Sequence, residues 1–202
     1  MSRAPHSRAE FLRRGMVGSA GVMLLGATAS PSIQDASAEP LPVSDLAWAR
    51  LLLGAELLAV DFYTRAIGSA ITPVSVRKNL RRARLNEQEH AESVGEILRG
   101  AGLVPAEAAD FTFSYPAHSF TSTEGIAHVA AELERVLVGA YLGAIAGTQT
   151  ASFKLGFAEI AACEAQHLAY FNGLTGAKPF NLSFPPQVPI DQVSKALDPF
   201  LS

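Results

Sequence analysis

Glu87-Gln88-Glu89-His90 and Glu164-Ala165-Gln166-His167 are two copies of one pattern, Glu-x-x-His, set 77 residues apart in a chain of 202. Residues three apart on a helix are neighbours on one face, so each copy sends a carboxylate and an imidazole the same way. Apolar residues recur around them at steps of three and four. One stretch reads Leu80, Ala83, Glu87, His90, Val94, Ile97; the other reads Phe153, Phe157, Ile160, Glu164, His167, Phe171, Leu174. That period marks an amphipathic helix whose apolar stripe faces a core. The polar pairs therefore interrupt stripes that ought to be buried.

The repetition extends upstream. Glu56 lies 31 residues before Glu87 and Glu134 lies 30 before Glu164, and each is followed at the seventh position by a tyrosine, Tyr63 or Tyr141. Leu52-Glu56-Ala59-Tyr63 and Ala127-Glu134-Leu137-Tyr141 keep core spacing as well. Glu132, two residues from Glu134, lacks the following tyrosine, and Glu89, Glu92 and Glu96 fall off the stripe onto a solvated face.

Boundary signals delimit four helices. Residues 44–69 open on Ser44-Asp45, good N-caps, and stop at Gly68-Ser69. Thr72-Pro73 opens the second helix, with proline at the first helical position, and Gly100 and Gly102 end it. Thr121 with Glu124 forms a capping box for a third helix reaching Gly147; the fourth runs from Thr150 to Gly173 or Gly176. Pro179, Pro185, Pro186 and Pro189 keep the tail extended before a short helix over 191–197. Helices 1–2 and 3–4 are joined by a few residues each and must be antiparallel hairpins. Residues 103–120, by contrast, could stretch to about 60 Å, more than the roughly 40 Å height of a helix of about 27 residues. The fold expected is all-α, a four-helix bundle with one long crossover between helices 2 and 3.

Four carboxylates at mid-height of such a core would be costly alone and would repel one another. No lysine or arginine falls on the four stripes to offset them. Two divalent cations would balance the four negative charges, with neutral imidazoles completing the shells, and hard oxygen donors beside imidazole suit iron or manganese. The candidate metal ligands are Glu56, Glu87, His90, Glu134, Glu164 and His167. Tyr63 and Tyr141 are core residues whose hydroxyls could hydrogen-bond a ligand carboxylate.

This set resembles the di-metal carboxylate site of the ferritin-like superfamily, over about residues 44–175. The symmetric pair of Glu-x-x-His motifs is closer to bacterioferritin, rubrerythrin and manganese catalase than to animal ferritin, and the exported ferritin-like proteins related to desiccation-related proteins are similar too. The resemblance implies that Glu87 and Glu164 bridge two Fe or Mn ions, that Glu56 and Glu134 are terminal ligands, and that His90 and His167 take one ion each. It further implies an oxidoreductase acting on Fe²⁺ with O₂, or on peroxide. The alternative it leaves is a non-catalytic stress or envelope protein with a structural metal site. Iron storage in a cage is a third reading, which the proline-rich tail disfavours. A homo-oligomeric copy is a further possible partner.

Composition bounds these readings. The single cysteine, Cys163, excludes an intramolecular disulfide and a CxxC-bound iron in this chain, so redox turnover would need an external electron donor. Cys163 itself reads as a small buried side chain. His118 and His128 carry no assigned role, and Arg77, Lys78, Arg81, Arg82 and Arg84 read as a solvated basic face. A net charge of −3 argues against nucleic acid. Residues 1–38 read as an export signal: Arg3, Arg8, Arg13 and Arg14, then a soft apolar run from Gly15 to Ala29, then Ala36-Ser37-Ala38 as a cleavage site. Ser7-Arg8-Ala9-Glu10-Phe11-Leu12-Arg13 resembles the twin-arginine motif but has Ala9 where the second arginine belongs, so the general secretory route stays open. Removing 1–38 leaves residues 39–202 as one domain with 12 basic and 17 acidic side chains, or −5, which would meet the export machinery and act outside the cytoplasm.

Overall fold

Apolar stripes at steps of three and four become four long helices in the computed structural model, which describes residues 40–180 and 182–201. They are α1 (Val43–Gly68), α2 (Val74–Gly100), α3 (Thr123–Gly147) and α4 (Ala151–Leu174), followed by a short α5 (Ile190–Leu197). Helix α1 packs along α2 and α3 along α4 as two hairpins, while a seam between α1 and α3 joins them; α2 and α4 touch only sparingly. The expected export signal, residues 1–38, lies outside the described residues. Among the described residues no helix is long and apolar enough to cross a membrane.

The stripes sort as the period requires. Leu52, Ala59, Leu80, Val94, Leu137, Phe157 and Phe171 are all buried. Leu174 departs from the expectation: it is exposed, because the helix ends there and the core stripe stops at Phe171. Small residues share the core with the large ones: Ala49 and Ala55 of α1 and Ala130, Ala140 and Ala144 of α3 are all buried.

Several boundary devices differ from the reading of the sequence. Pro42, not Ser44 or Asp45, occupies the N-cap of α1. Asp45 is buried and instead accepts the backbone N–H groups of Gln149 and Thr150, both at 2.8 Å. An acid in the first turn of one helix thus satisfies the donors at the start of α4, whose own N-cap Thr150 makes no side-chain cap bond. Pro73 is the N-cap of α2 rather than its first residue. At α3 the cap is Ser122, which accepts from Gly125 N–H at 2.9 Å; Thr121 instead donates to the His118 carbonyl, so the Thr121–Glu124 capping box does not form. The end of α2 follows expectation. Gly102 takes a left-handed φ of 72°, letting its N–H reach the Arg99 carbonyl and the Leu103 N–H the Leu98 carbonyl.

The crossover carries one short 3₁₀ turn, Ala108–Asp110, and is tied down by the chain's own tail. Phe113 pairs with Leu201 in a single antiparallel bridge, and Tyr115 donates to Asp61 at 2.8 Å. The extended tail crosses α3, where Val188 N–H donates to the Gly139 carbonyl at 3.0 Å. A Cβ at Gly143 would collide there with the Val188 carbonyl oxygen and lie 2.9 Å from the Trp48 ring, which explains the glycine.

Candidate metal centre

Each helix delivers its polar residue to one level of the core. Glu56, Glu87, Glu134 and Glu164 are fully buried, and no lysine or arginine is buried with them among the described residues. The six residues singled out from the sequence come together. His90 Nδ1 lies 3.0 Å from Glu87 Oε2, 2.8 Å from Glu164 Oε1 and 3.8 Å from Glu56 Oε2. His167 Nδ1 mirrors it, 2.9 Å from Glu87 Oε1, 3.1 Å from Glu164 Oε2 and 3.5 Å from Glu134 Oε1. Glu87 and Glu164 thus stand between the two imidazoles, one oxygen toward each. Two overlapping four-residue groups have metal-ligating spacing, Glu56-Glu87-His90-Glu164 and Glu87-Glu134-Glu164-His167.

The tyrosines cross between hairpins. Tyr63 of α1 donates its hydroxyl proton to Glu134 of α3, and Tyr141 of α3 donates to Glu56 of α1. Both rings are buried, Tyr63 stacked on Phe171 with centroids 5.8 Å apart and Tyr141 tilted against Phe157 at 5.9 Å. Each phenol fixes one oxygen of its carboxylate, and together they close the α1–α3 side of the cluster.

Hydrogen bonds do not satisfy this arrangement. Glu56 Oε2 and Glu134 Oε2 are buried with no hydrogen-bond partner, and Glu87 Oε1 and Glu164 Oε1 are met only by an imidazole Nδ1 that other carboxylates share. A single Nδ1 proton cannot serve the three carboxylates around each imidazole. Burial first, then repulsion from Glu164, pushes Glu134 up to about 8, with His167 opposing. The same two causes raise Glu56 well above the carboxylate range against the pull of His90. Burial alone would lower both histidines, but hydrogen bonding to Cys163 and to the surrounding carboxylates outweighs it and raises them. In the metal-free protein, protons neutralise the cluster. Buried oxygens of four carboxylates, left short of partners and faced by two imidazoles, fit a pair of divalent cations, which would replace those protons.

Two participants escaped the sequence reading. Asn86 precedes Glu87 as Cys163 precedes Glu164, and that shared register was the available signal. Asn86 Nδ2 lies 3.0 Å from His167 Nε2 and 3.3 Å from Cys163 Sγ. Cys163 is half-buried rather than buried, with Sγ 3.6 Å from His167 Nε2. An imidazole offering Nδ1 to a cation carries its proton on Nε2, and Asn86 can turn its amide oxygen to receive it. Glu132, Glu89, Glu92 and Glu96 are exposed as expected, and the His128 side chain is 60% exposed beside Glu124.

An antiparallel bundle with one crossover and a buried carboxylate–imidazole cluster contributed by all four helices defines the class of ferritin-like proteins. A family model for the ferritin-like domain matches residues 44–177, and the chain belongs to that family. Among solved structures, hypothetical protein MJ0754 from Methanococcus jannaschii is similar in fold, with a TM-score of 0.55 at 14% identity, covering 84% of this chain and 98% of its own. No curated protein matches the sequence.

Proposed function

We propose that the protein is a di-metal carboxylate oxidoreductase, holding two iron or manganese ions and acting on Fe²⁺ with O₂ or on peroxide. The observation that carries this reading is the placement of Glu87 and Glu164, each with one oxygen at each imidazole. In that reading Glu87 and Glu164 would be shared by the two ions, Glu56 and His90 would hold one, and Glu134 and His167 would hold the other. Such a pair, when bound, supplies electrons and Lewis acidity toward oxygen or peroxide.

The chain's own residues set the conditions for that chemistry. Tyr63 and Tyr141 hold Glu134 and Glu56 through Oε1 in each case, leaving each Oε2 buried without a hydrogen-bond partner. The apolar layers above and below keep water from those two sides of the site, which strengthens charge interactions there. Nδ1 of each histidine must release its proton before it can ligate, so occupancy is proton-linked. The one cysteine leaves no place for a cysteine-bound iron in the chain, so a redox cycle draws electrons from a separate donor. The arginine-bearing leader with its Ala-x-Ala end supports an extracytoplasmic site of action.

Consumption of O₂ and of H₂O₂ by iron- and manganese-loaded protein, with and without added Fe²⁺, tests the reading. Turnover of either, lost in Glu87→Ala, is the expected result. Bound metal without consumption of either would overturn the enzyme assignment and leave a structural metal site.

A further inference from the structure

The side of the centre opposite the two tyrosines is not closed. Helices α2 and α4 stand apart there, and a cavity of about 260 Å³ runs between them down to His167. At roughly 30 Å³ per water, that is space for about nine water-sized groups. Its floor is buried His167 and Phe171, its middle half-buried Asn86, Cys163 and Tyr170, and its rim the exposed Arg82. Arg82 and Asn86 are one turn apart on α2, about 6 Å along the axis. A molecule bound at the rim by one end would bring the other to the edge of His167.

The lining states what kind of molecule fits. No acidic residue lines the cavity, and Arg82 is the one lysine or arginine in its lining, with His167 at the floor. From Arg77 to Arg84, α2 carries five cationic side chains and no acid, in a protein whose net charge is −3. Among the described residues none of the five forms an ion pair with a carboxylate. Arg77 is occupied by the carbonyls of Ser69 and Thr72, whereas Arg82 is exposed at the rim with no hydrogen-bond or ion-pair partner among the described residues. Tyr170 and Phe171, whose rings meet edge to face at 5.0 Å, form an apolar wall. A guanidinium at one end and an aromatic wall running inward from it suit a small organic carboxylate.

We propose that the α2–α4 cleft is a binding site for a small organic carboxylate, held by Arg82 at the rim and lying along Tyr170 and Phe171 toward His167. This names the substrate or reductant class for the proposed metal centre and rests on that reading only for what the molecule does once bound. Binding itself needs no metal.

Cys163 inside the cleft is the reporter. Its sulfur attacks iodoacetamide, an S–C bond forms, iodide leaves and the thiol proton passes to solvent, so mass spectrometry of the full chain gives a rate. Benzoate at ten times its dissociation constant should slow alkylation about tenfold by mass action, while benzamide, the uncharged analogue, should not. Arg82→Gln should weaken benzoate by about tenfold or more, the value of a charge-assisted bond. In the unaltered chain, iodoacetate should also gain on iodoacetamide relative to their rates with free glutathione, a comparison that needs no variant. An unreactive Cys163, equal protection by benzoate and benzamide, or full protection in Arg82→Gln would each overturn the proposal. Metal content measured on the same samples separates the two claims. Protection without metal sinks only the metal centre, and metal without protection sinks only the cleft.

Discussion

Removing metal should make the protein's stability fall as pH rises, and Glu134 sets the size of the effect. In the metal-free fold its carboxyl is pushed up to about 8 from an ordinary value of 4.5 by burial and by Glu164. The folded chain therefore keeps a proton that the unfolded chain releases, so stability is full below 4.5 and drains as pH climbs through 8. The difference of about 3.5 units is on the order of 5 kcal/mol, a large share of the roughly 5–15 kcal/mol that holds a domain together. His90 and His167 add to the same trend, since their raised values make stability present below 6.5 and lost as pH rises beyond it. For a domain of this size the melting temperature of chelator-treated protein should drop by about 10 °C or more between pH 5 and pH 8. Added Mn²⁺ should do the reverse, raising the melting temperature most at pH 8, where fewer protons must be displaced. Scanning calorimetry of the metal-free chain beside Glu134→Gln tests the cause. The amide is neutral at every pH and can still accept from Tyr63, so its melting temperature should depend less on pH and exceed the parent's at pH 8. A metal-free melting temperature that is flat or rises from pH 5 to 8, or an unchanged slope in Glu134→Gln, would refute the reasoning.

Other perturbations address the supports of the site and the fold. Tyr63→Phe and Tyr141→Phe each remove the donor to a proposed ligand carboxylate and should weaken metal about 10–100-fold, read by competition with a fluorescent chelator; unchanged affinity in both would show that the phenols only fill space. Gly143→Ala should destabilise by roughly 1–3 kcal/mol, because its methyl meets the Val188 backbone and Trp48. Gly156→Ala, with nothing near its added methyl, should stabilise by about 0.5–1 kcal/mol, and urea melts of the pair measure the contrast. Asp45→Ala leaves the Gln149 and Thr150 N–H groups unpaired and should lower stability by about 1–3 kcal/mol. The bonds from Thr150 and Gln149 outweigh burial and hold Asp45 below its ordinary value, so its contribution is present above pH 3.8 and lost on acidification.

The bundle and the six-residue cluster were legible because both are periodic. A step of three or four residues sets which face a side chain takes, and polar residues at buried positions stand out against it. Glu134 could be chosen over Glu132 by the tyrosine seven residues on, and Glu132 is indeed exposed. What was not legible depends on contacts distant in sequence. Asp45 looked like a local cap, yet its acceptors serve Gln149 and Thr150, more than a hundred residues away. Ser122 took the cap expected of Thr121 because one residue of register decides which hydroxyl meets an N–H. Cys163 looked like filler, since its exposure depends on how far α2 and α4 stand apart. That separation is a tertiary quantity, and the only local hint of it was the shared register of Asn86 before Glu87 and Cys163 before Glu164.

The central claim is that these six side chains exist to hold two cations, and metal content tests it most directly. Protein purified without added chelator from its native compartment, beside Glu87→Ala and Glu164→Ala, would be assayed for iron, manganese, copper and zinc. About two ions of iron or manganese per chain are expected in the parent, as four carboxylates and two imidazoles require. Each variant, having lost a proposed bridge, should fall well below that. A parent chain that folds and carries no metal, or variants that keep the full complement, would contradict the account.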